Sequence, residues 1–299
     1  MIKEKLQHHI QQRLEQLTGG LRNTRQMETK TRLKRALIAK RGGEFVKVKA
    51  KSSITGVKNE KHTDIVSYRV HLQYVIKQKD HFYLEEEAEE RIASFYKGKF
   101  FEDKETAGEL SSDTEASPSL SAVSLEETER ALFTYDRLKA VQYAERWWND
   151  HNPAYKSFSV NCTNYVSQCI RAGGAPMTGY PHQGKGWWMQ NNSWSYSWTV
   201  ANAFRHYLPN AKKGLRAKIV QHPEELIIGD VICYDFQGNG RFDHTTIVTE
   251  KDASGMPLVN ANTTNSRMRY WSYEDSTAYT ENIQYVFLSI LDSKLDSIK

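Results

Sequence analysis

The 299-residue sequence has no apolar run near the roughly 18 residues that a membrane-spanning helix needs. Its first 17 residues are interrupted by charges and never develop the unbroken apolar segment of a secretion signal. Cysteine and proline are both scarce, with 3 and 7 residues. We therefore expect a protein without a membrane span that stays in the cytoplasm.

Metal-binding and disulfide patterns are also missing. The three cysteines, Cys162, Cys169 and Cys233, cannot all pair with one another, and the chain has no CxxC motif and no Cys/His cluster with zinc spacing. The stretch DFQGNG (residues 235–240) half resembles a calcium loop, but Thr246 stands where such a loop carries its bidentate glutamate. We therefore predict a turn there, free thiols in a reducing compartment, and no metal.

The net charge is only +5, but it is unevenly distributed along the chain. Residues 1–61 contain 16 Lys/Arg and 5 Asp/Glu, whereas residues 85–130 contain 14 Asp/Glu and 5 Lys/Arg. Two opposite blocks usually neutralise each other within a fold, so we do not expect a nucleic-acid partner. The predicted ion pairs join Lys47, Lys49, Lys51 or Arg69 to Glu85, Glu87 or Glu89 across one face of a sheet.

The first part of the chain predicts a helix followed by antiparallel strands. Leu6 and Ile10 begin a series of apolar residues at helical spacing, and residues 65–76 alternate with the period of a strand. This pattern predicts an accessory α+β module over residues 1–104, like cystatin or NTF2 folds in outline. Such a module would either position the second domain or bind an unknown partner. Residues 105–132, rich in serine and glutamate and without aromatic residues, predict a flexible linker.

The second half predicts a different kind of domain. All seven tryptophans lie at or beyond position 147. Helical patterns come first, and apolar strands such as GDVICYDF and HTTIVTEK follow with little alternation of the two. This order is typical of an α+β domain with an antiparallel sheet, which we place over residues 133–292.

Cys162 is the candidate nucleophile. It opens a predicted helix after Asn161, its candidate N-cap, and the N-terminal end of a helix favours a thiolate. His244 begins an apolar strand and is the candidate base. Asn260 and Asn262 share a face of the next strand, and either could orient the imidazole; we favour Asn262. The structural alternatives are a buried cysteine, a strand-end histidine and a turn asparagine.

Four residues are candidates for substrate binding. Trp187 and Trp194 lie in GWWMQNNSWSYSW, where flat rings either line a groove for a peptide or glycan or fill the core. Asn161 and Asn164 flank the candidate nucleophile, and Asn164 could donate a hydrogen bond toward the site.

Four motifs appear in a fixed order: NCTNYVSQCIRAGG, GWWMQ, LIIGDVICYDFQGNGRFDHTTIVTE and NANTTN. Together they resemble the putative amidase domain of spore-forming Gram-positive bacteria, over about residues 133–290. That family is similar to papain-like hydrolases, which include the NlpC/P60 and CHAP cell-wall enzymes. The resemblance implies a papain-like fold with Cys162 and His244 as the catalytic pair. The sequence departs from the family at Asn161, where aspartate is common, and at Asn262, where histidine is common.

The resemblance implies a cysteine amidase or peptidase that acts through a thioacyl-enzyme without a cofactor. Its implied substrate is a peptidoglycan stem peptide or a related bacterial amide. Because no secretion signal is visible, either the protein is released by cell lysis and becomes associated with the spore or cell wall, or its substrate is intracellular. Two alternatives stay open: a catalytically silent module that binds peptide or glycan in a Trp-lined cleft, and an acyltransferase using the same residues.

Overall fold

The computed structural model describes residues 2–19, 28–106 and 133–292. The chain divides into two compact units. The first comprises Met1–Glu109 and Thr264–Tyr279, and the second comprises Leu110–Thr263 and Thr280–Lys299. Residues 264–279, which lie within the range predicted for the second domain, belong to the first unit. Most of the predicted linker lies outside the described residues, and Glu105 ends a strand instead.

Six α-helices and twelve strands form within the described ranges. The helices are α1 (Ile2–Thr18), α2 (Thr29–Lys40), α3 (Arg137–Trp147), α4 (Cys162–Ala172), α5 (Tyr196–Thr199) and α6 (Ala201–Asn210). The strands are β1 (Gly43–Glu60), β2 (Thr63–Gln78), β3 (His81–Tyr96), β4 (Lys99–Glu105), β5 (Met189–Gln190), β6 (Ser193–Trp194), β7 (Ala217–Val220), β8 (Val231–Asp235), β9 (His244–Lys251), β10 (Pro257–Ala261), β11 (Asn265–Tyr270) and β12 (Gln284–Ile290). The strands pair antiparallel, which confirms a mixed α+β fold. Among these helices none is both long and apolar enough to cross a membrane.

The first unit is an antiparallel sheet with two helices. Its strand order is β1-β2-β3-β11, and β4 also pairs with β3. Leu6 and Ile10 of α1 join the core, as their helical spacing predicts. The alternation in β2 is confirmed, since its apolar residues all lie in that core: Val66, Tyr68, Val70, Leu72, Tyr74 and Ile76.

Helix α2 is an element that the apolar spacing does not reveal. Its sequence TKTRLKRALIAK carries five basic residues, yet Leu37 and Ile38 are buried. Lys30 and Lys34 are buried as well. A buried lysine needs an anionic partner, because removing an unpaired ammonium group from water is costly.

The anionic partners come from β3. Glu85, Glu87 and Glu89 occupy alternate positions and are all buried. Glu85 and Glu87 pair in register with Tyr74 and Leu72 of β2, so these carboxylates lie on the same face as the apolar core. The acidic face of β3 therefore points into the unit, toward the helices.

Cations from the helices neutralise this face. The close contacts are Arg13 Nη1 to Glu89 at 2.8 Å, Lys30 Nζ to Glu89 at 2.7 Å, Lys34 Nζ to Glu87 at 2.7 Å and Lys34 Nζ to Asp275 at 2.9 Å. The predicted pairing with Lys47, Lys49, Lys51 or Arg69 is wrong. The three lysines are exposed on β1, and Arg69 contacts Glu90 on the solvent side.

Lys34 lies in a group of carboxylates that could otherwise hold a metal ion. Glu85, Glu87 and Asp275 bring one oxygen each within 4.8 Å of one another. The Lys34 ammonium group contacts all three of them. The chain's own cation therefore compensates the charge of this cluster.

The second unit has the strand order β10-β9-β8-β12-β7. Helices α3 and α4 pack on each other and on β9, and α6 packs on β7 and β12. Every residue of β8 is buried, as is every α4 residue from Cys162 to Ile170. This packing fixes the first turn of α4 against the start of β9.

Candidate active site

Cys162 is the first residue of α4, as the sequence predicts. Asn161 occupies the N-cap position, but its side chain makes no capping hydrogen bond. Its amide oxygen instead accepts from the Phe158 backbone N–H at 3.3 Å and from Asn164 at 2.8 Å. The side chain of Asn161 thus joins the loop before α4 to the first helical turn.

The sulfur of Cys162 lies between α4 and the residue that precedes β9. It is 3.8 Å from the Thr163 hydroxyl and 4.0 Å from the carbonyl oxygen of Asp243. Cys162 is only 1% exposed. Burial raises the pKa of its thiol, and hydrogen bonds from Thr163 and from the Thr245 backbone N–H oppose that rise without cancelling it. The expected activation by the helix end is therefore outweighed in this closed arrangement.

Two threonines connect α4 to β9. The Thr163 hydroxyl is 3.1 Å from the Thr245 hydroxyl, and both residues are fully buried. The contact shows that Thr245 faces α4. Neither threonine is among the predicted site residues, although each directly follows a predicted catalytic residue, Cys162 or His244. That adjacency is the signal by which the pair could have been found.

His244 begins β9, as predicted, but its ring has other neighbours. Successive side chains of a strand point to opposite faces, so His244 points away from the face on which Thr245 meets α4. Its ring lies 5.6 Å from that of Tyr234, its partner in β8, and 6.1 Å from that of Phe236. The structure thus brings the sulfur to the backbone beside His244, and the catalytic pair stays a prediction.

Asn262 has contacts that differ from the predicted orienting role. Its amide oxygen accepts from Asn161 at 2.9 Å, and its amide nitrogen donates to the carbonyl oxygens of Trp147, Trp148 and Asp150. These bonds use the amide to attach the loop after β10 to the end of α3. The physical reason is the pleat of β9, which puts His244 on the other face of the sheet.

Asn260, the alternative to Asn262, also bonds toward α3. Its amide nitrogen donates to Glu145 at 2.8 Å, and its amide oxygen accepts from the Thr249 hydroxyl at 3.0 Å. Asn260 and Asn262 therefore share a face, as the alternation predicts. That face is the one that packs on the helices.

Asn164 and Trp187 lie inside the unit. Asn164 is fully buried; its amide nitrogen donates to the Lys156 carbonyl oxygen, and its amide oxygen accepts from the Trp198 indole N–H at 2.8 Å. Trp187 is fully buried, packs on Trp198 and donates to the Ser167 hydroxyl. The prediction that Trp187 lines a groove is wrong, because its ring fills the core. Asn164 likewise uses its polar atoms internally rather than toward a substrate.

Trp194 differs from Trp187 because it is only partly buried. Its ring meets that of Phe158 edge to face, with 4.9 Å between centroids. The ammonium group of the exposed Lys156 lies 4.4 Å from the centroid of the Trp194 ring. This arrangement leaves Trp194 as a candidate for contact with a substrate.

Two acidic residues have structural roles in turns. Asp235 accepts from the backbone N–H groups of Gln237, Gly238 and Gly240, which confirms that DFQGNG is a turn between strands. Asp230 accepts from Arg137 and from backbone N–H groups of two neighbouring segments. Both carboxylates therefore stabilise the framework around the candidate site.

The family described as "Putative amidase domain" matches residues 134–288, more than half of the chain. The chain belongs to this family. Two proteins of Bacillus subtilis (strain 168) are similar to this chain. The uncharacterized protein YhbB is 50% identical over 300 residues, which cover 96% of each chain. The uncharacterized protein YjcM is 33% identical over 126 residues, which cover 39% of this chain and 28% of YjcM.

No solved structure matches the chain. The membership in the amidase family rests on the sequence alone, and it supports amide hydrolysis at a coarse level. The papain-like fold, the link to NlpC/P60 and CHAP enzymes, and the cystatin or NTF2 outline of the first unit stay predictions.

Proposed function

We propose that the second unit hydrolyses an amide bond with Cys162 as its nucleophile. The observation that carries the proposal is the position of the sulfur at the first residue of α4, 4.0 Å from the backbone oxygen before β9. An oxyanion that forms at this point would meet the backbone N–H groups at the start of the helix. Membership in the amidase family supports the same reaction class.

The proposed reaction has two balanced steps. The sulfur attacks the amide carbon, the thiol proton passes to His244 and then to the leaving amine, and the C–N bond breaks to give a thioester. Water then attacks the thioester, a carboxylic acid leaves, and the proton returns to the sulfur. The backbone N–H of Cys162 would stabilise both oxyanions.

For His244 to act as the base, its side chain must change orientation. The His244 ring must leave Tyr234 and Phe236 and turn toward the face of Thr245. His244 is the first residue of β9. Such a change would break the pairing of His244 with Tyr234 but not the three other pairs of β8 with β9. Asn262 has a structural role in this proposal, because its amide joins Asn161 to α3.

We propose a peptidoglycan stem peptide as the substrate. The experiment incubates the full chain with soluble muropeptides and follows the products and the intact protein by mass spectrometry. We expect cleavage products and an acyl adduct on Cys162, both lost in Cys162→Ala. The matched control is Cys169→Ala, which removes another buried thiol of α4 and should retain activity. Product formation by Cys162→Ala would contradict the proposal.

Two alternative functions are outcomes of the same experiment. A silent binding module would bind muropeptides without releasing products. An acyltransferase would form an amide with an added amine, such as glycinamide, in preference to the free acid. Comparing the products with and without glycinamide therefore separates hydrolysis from transfer.

A further inference from the structure

Three side chains form a surface beside the first turn of α4, which we call the Lys156 rim: Lys156, Phe158 and Trp194. The Lys156 ammonium group lies 4.4 Å from the centroid of the Trp194 ring and 5.7 Å from that of Phe158. Both rings are partly exposed, and Lys156 is exposed. The rim therefore combines an accessible cation with flat apolar surface.

Hydrogen bonds tie this rim to the nucleophile's helix. The Lys156 carbonyl oxygen accepts from Asn164 at 2.9 Å, and the Phe158 N–H donates to Asn161 at 3.3 Å. Asn161 and Asn164 bracket Cys162 in the first turn of α4. They are buried, whereas the rim reaches solvent. The rim therefore lies at the solvent end of the hydrogen bonds that flank Cys162.

The positive charge of Lys156 determines which kind of chemical group the rim can bind. Among the described residues, no carboxylate pairs with the Lys156 ammonium group, which instead lies over an indole ring. An ammonium group in this position retains N–H donors for an anion while the ring stabilises its charge. A carboxylate attached to an aliphatic chain could pair with the cation and lay its methylene groups on Trp194.

We propose that the Lys156 rim recognises a carboxylate on the substrate, near the amide that Cys162 attacks. The inference rests on the proposed function and specifies its substrate class: an amide compound with a free carboxylate beside the scissile bond. A stem peptide with free side-chain carboxylates could form an ion pair with Lys156, whereas the same peptide with those carboxylates amidated could not.

The test measures binding in a Cys162→Ala background, so that no turnover occurs. The probes are a soluble stem tripeptide with free carboxylates and the same peptide with those carboxylates amidated, each titrated by calorimetry. We expect the free form to bind about five-fold tighter, the upper range for an exposed ion pair. Lys156→Gln should abolish this preference, and Lys156→Arg should retain it. Lys213→Gln, which removes an exposed lysine elsewhere in the unit, should also retain it.

Equal affinity for the two peptides, or no measurable binding of either, would overturn the inference. A preference that persists in Lys156→Gln would overturn it as well. Hydrolysis by the wild-type chain is measured separately. Cys162-dependent hydrolysis without a carboxylate preference would remove only the rim's role, whereas a Lys156-dependent preference without hydrolysis would support the rim and remove the proposed reaction.

Discussion

At the scale of single residues, the reactivity of Cys162 depends on opposing effects on one thiol. Burial raises its pKa, and hydrogen bonds from Thr163 and the Thr245 backbone lower it. The hydroxyl of Thr163 also contacts that of Thr245, so one side chain serves both the sulfur and the link between α4 and β9. We therefore regard Thr163 as a positioning residue of the proposed site.

Replacing Thr163 tests that role. Thr163→Val removes a hydrogen-bond donor to the sulfur, so we expect the pKa of Cys162 to rise further, by up to about one unit. The measurement is a pH titration of the Cys162 Cβ resonance in ¹³C-labelled protein. Thr163→Ser retains a hydroxyl and should titrate like the wild type. An unchanged midpoint in Thr163→Val would rule out this role.

A second residue-scale prediction concerns the base. His244→Ala should slow acyl-enzyme formation by roughly 10²–10⁴-fold, the usual contribution of a general base. Asp243→Asn is the comparison. The backbone carbonyl oxygen of Asp243 lies 4.0 Å from the sulfur, and burial, together with Asp235, raises the pKa of its carboxyl group. Single-turnover mass spectrometry measures both rates. A large effect of Asp243→Asn with a small effect of His244→Ala would transfer the role of base to Asp243.

The sequence allows Cys162 to be placed at a helix start because capping residues and helical periodicity are local signals. The contacts of Asn161, Asn164 and Asn262 could not be predicted in the same way. Their amides bond to one another and to backbone groups that are distant in sequence. The sequence alone does not distinguish an asparagine that makes such internal hydrogen bonds from one that binds a substrate.

At the scale of secondary-structure elements, the acidic face of β3 meets the basic face of α2. The sequence predicts the buried face of β2 because apolar residues occupy its alternate positions. Glu85, Glu87 and Glu89 have the same alternation, but charged residues at alternate positions usually indicate a solvent face. This acidic face is buried because α2 packs against it and supplies cations. The burial of the α2 lysines depends on that tertiary contact, so the local sequence does not reveal it.

Removing the Lys34 cation should destabilise the first unit. Lys34→Met keeps most of the side-chain volume but leaves Glu85, Glu87 and Asp275 without one of their cations, at a cost of about 3–5 kcal/mol. Urea denaturation measures the free energy of unfolding. The control is Lys47→Met, an exposed lysine of β1, which should change stability by no more than about 0.5 kcal/mol. Similar losses in the two variants would contradict the buried network.

At the scale of the whole molecule, the two units should respond differently to acid. In the first unit, burial alone would raise the pKa of Glu89, but Arg13, Lys30 and Arg91 outweigh it and hold that pKa well below the ordinary value of 4.5. Burial alone would also raise the pKa of Asp275, but Arg269 and Lys34 outweigh it and lower that pKa. In the second unit, burial raises the pKa of Asp230 despite Arg137.

Linkage gives the direction of each effect. Carboxyl groups with a lowered folded-state pKa stabilise the fold above their ordinary pKa, and that stability is lost as the pH falls through the folded-state value. A carboxyl group with a raised folded-state pKa has the opposite effect. Asp230 therefore stabilises the second unit as the pH falls, and Glu85, whose pKa is raised by burial, partly offsets the loss in the first unit. We therefore expect the first unit to unfold before the second as the pH falls below about 4.5, the ordinary glutamate value.

Fluorotryptophan labelling can follow the two units separately. Trp271 belongs to the first unit, whereas Trp147, Trp148, Trp187, Trp188, Trp194 and Trp198 belong to the second. In a ¹⁹F NMR acid titration, the Trp271 resonance should change first, and Trp271→Phe identifies it. Simultaneous changes of all resonances, or earlier changes in the second unit, would contradict the predicted order.

The return of residues 264–279 to the first unit also affects how the chain is made. During synthesis β1 to β4 leave the ribosome before the second unit, but Asp275, which contacts Lys34, emerges only after β10 of that unit. The first unit, whose strands β1 to β4 precede the second unit in the chain, is thus completed only after most of the second unit has been translated. Expression of residues 1–109 alone would leave the first unit without β11 and without Asp275, one of its buried carboxylates.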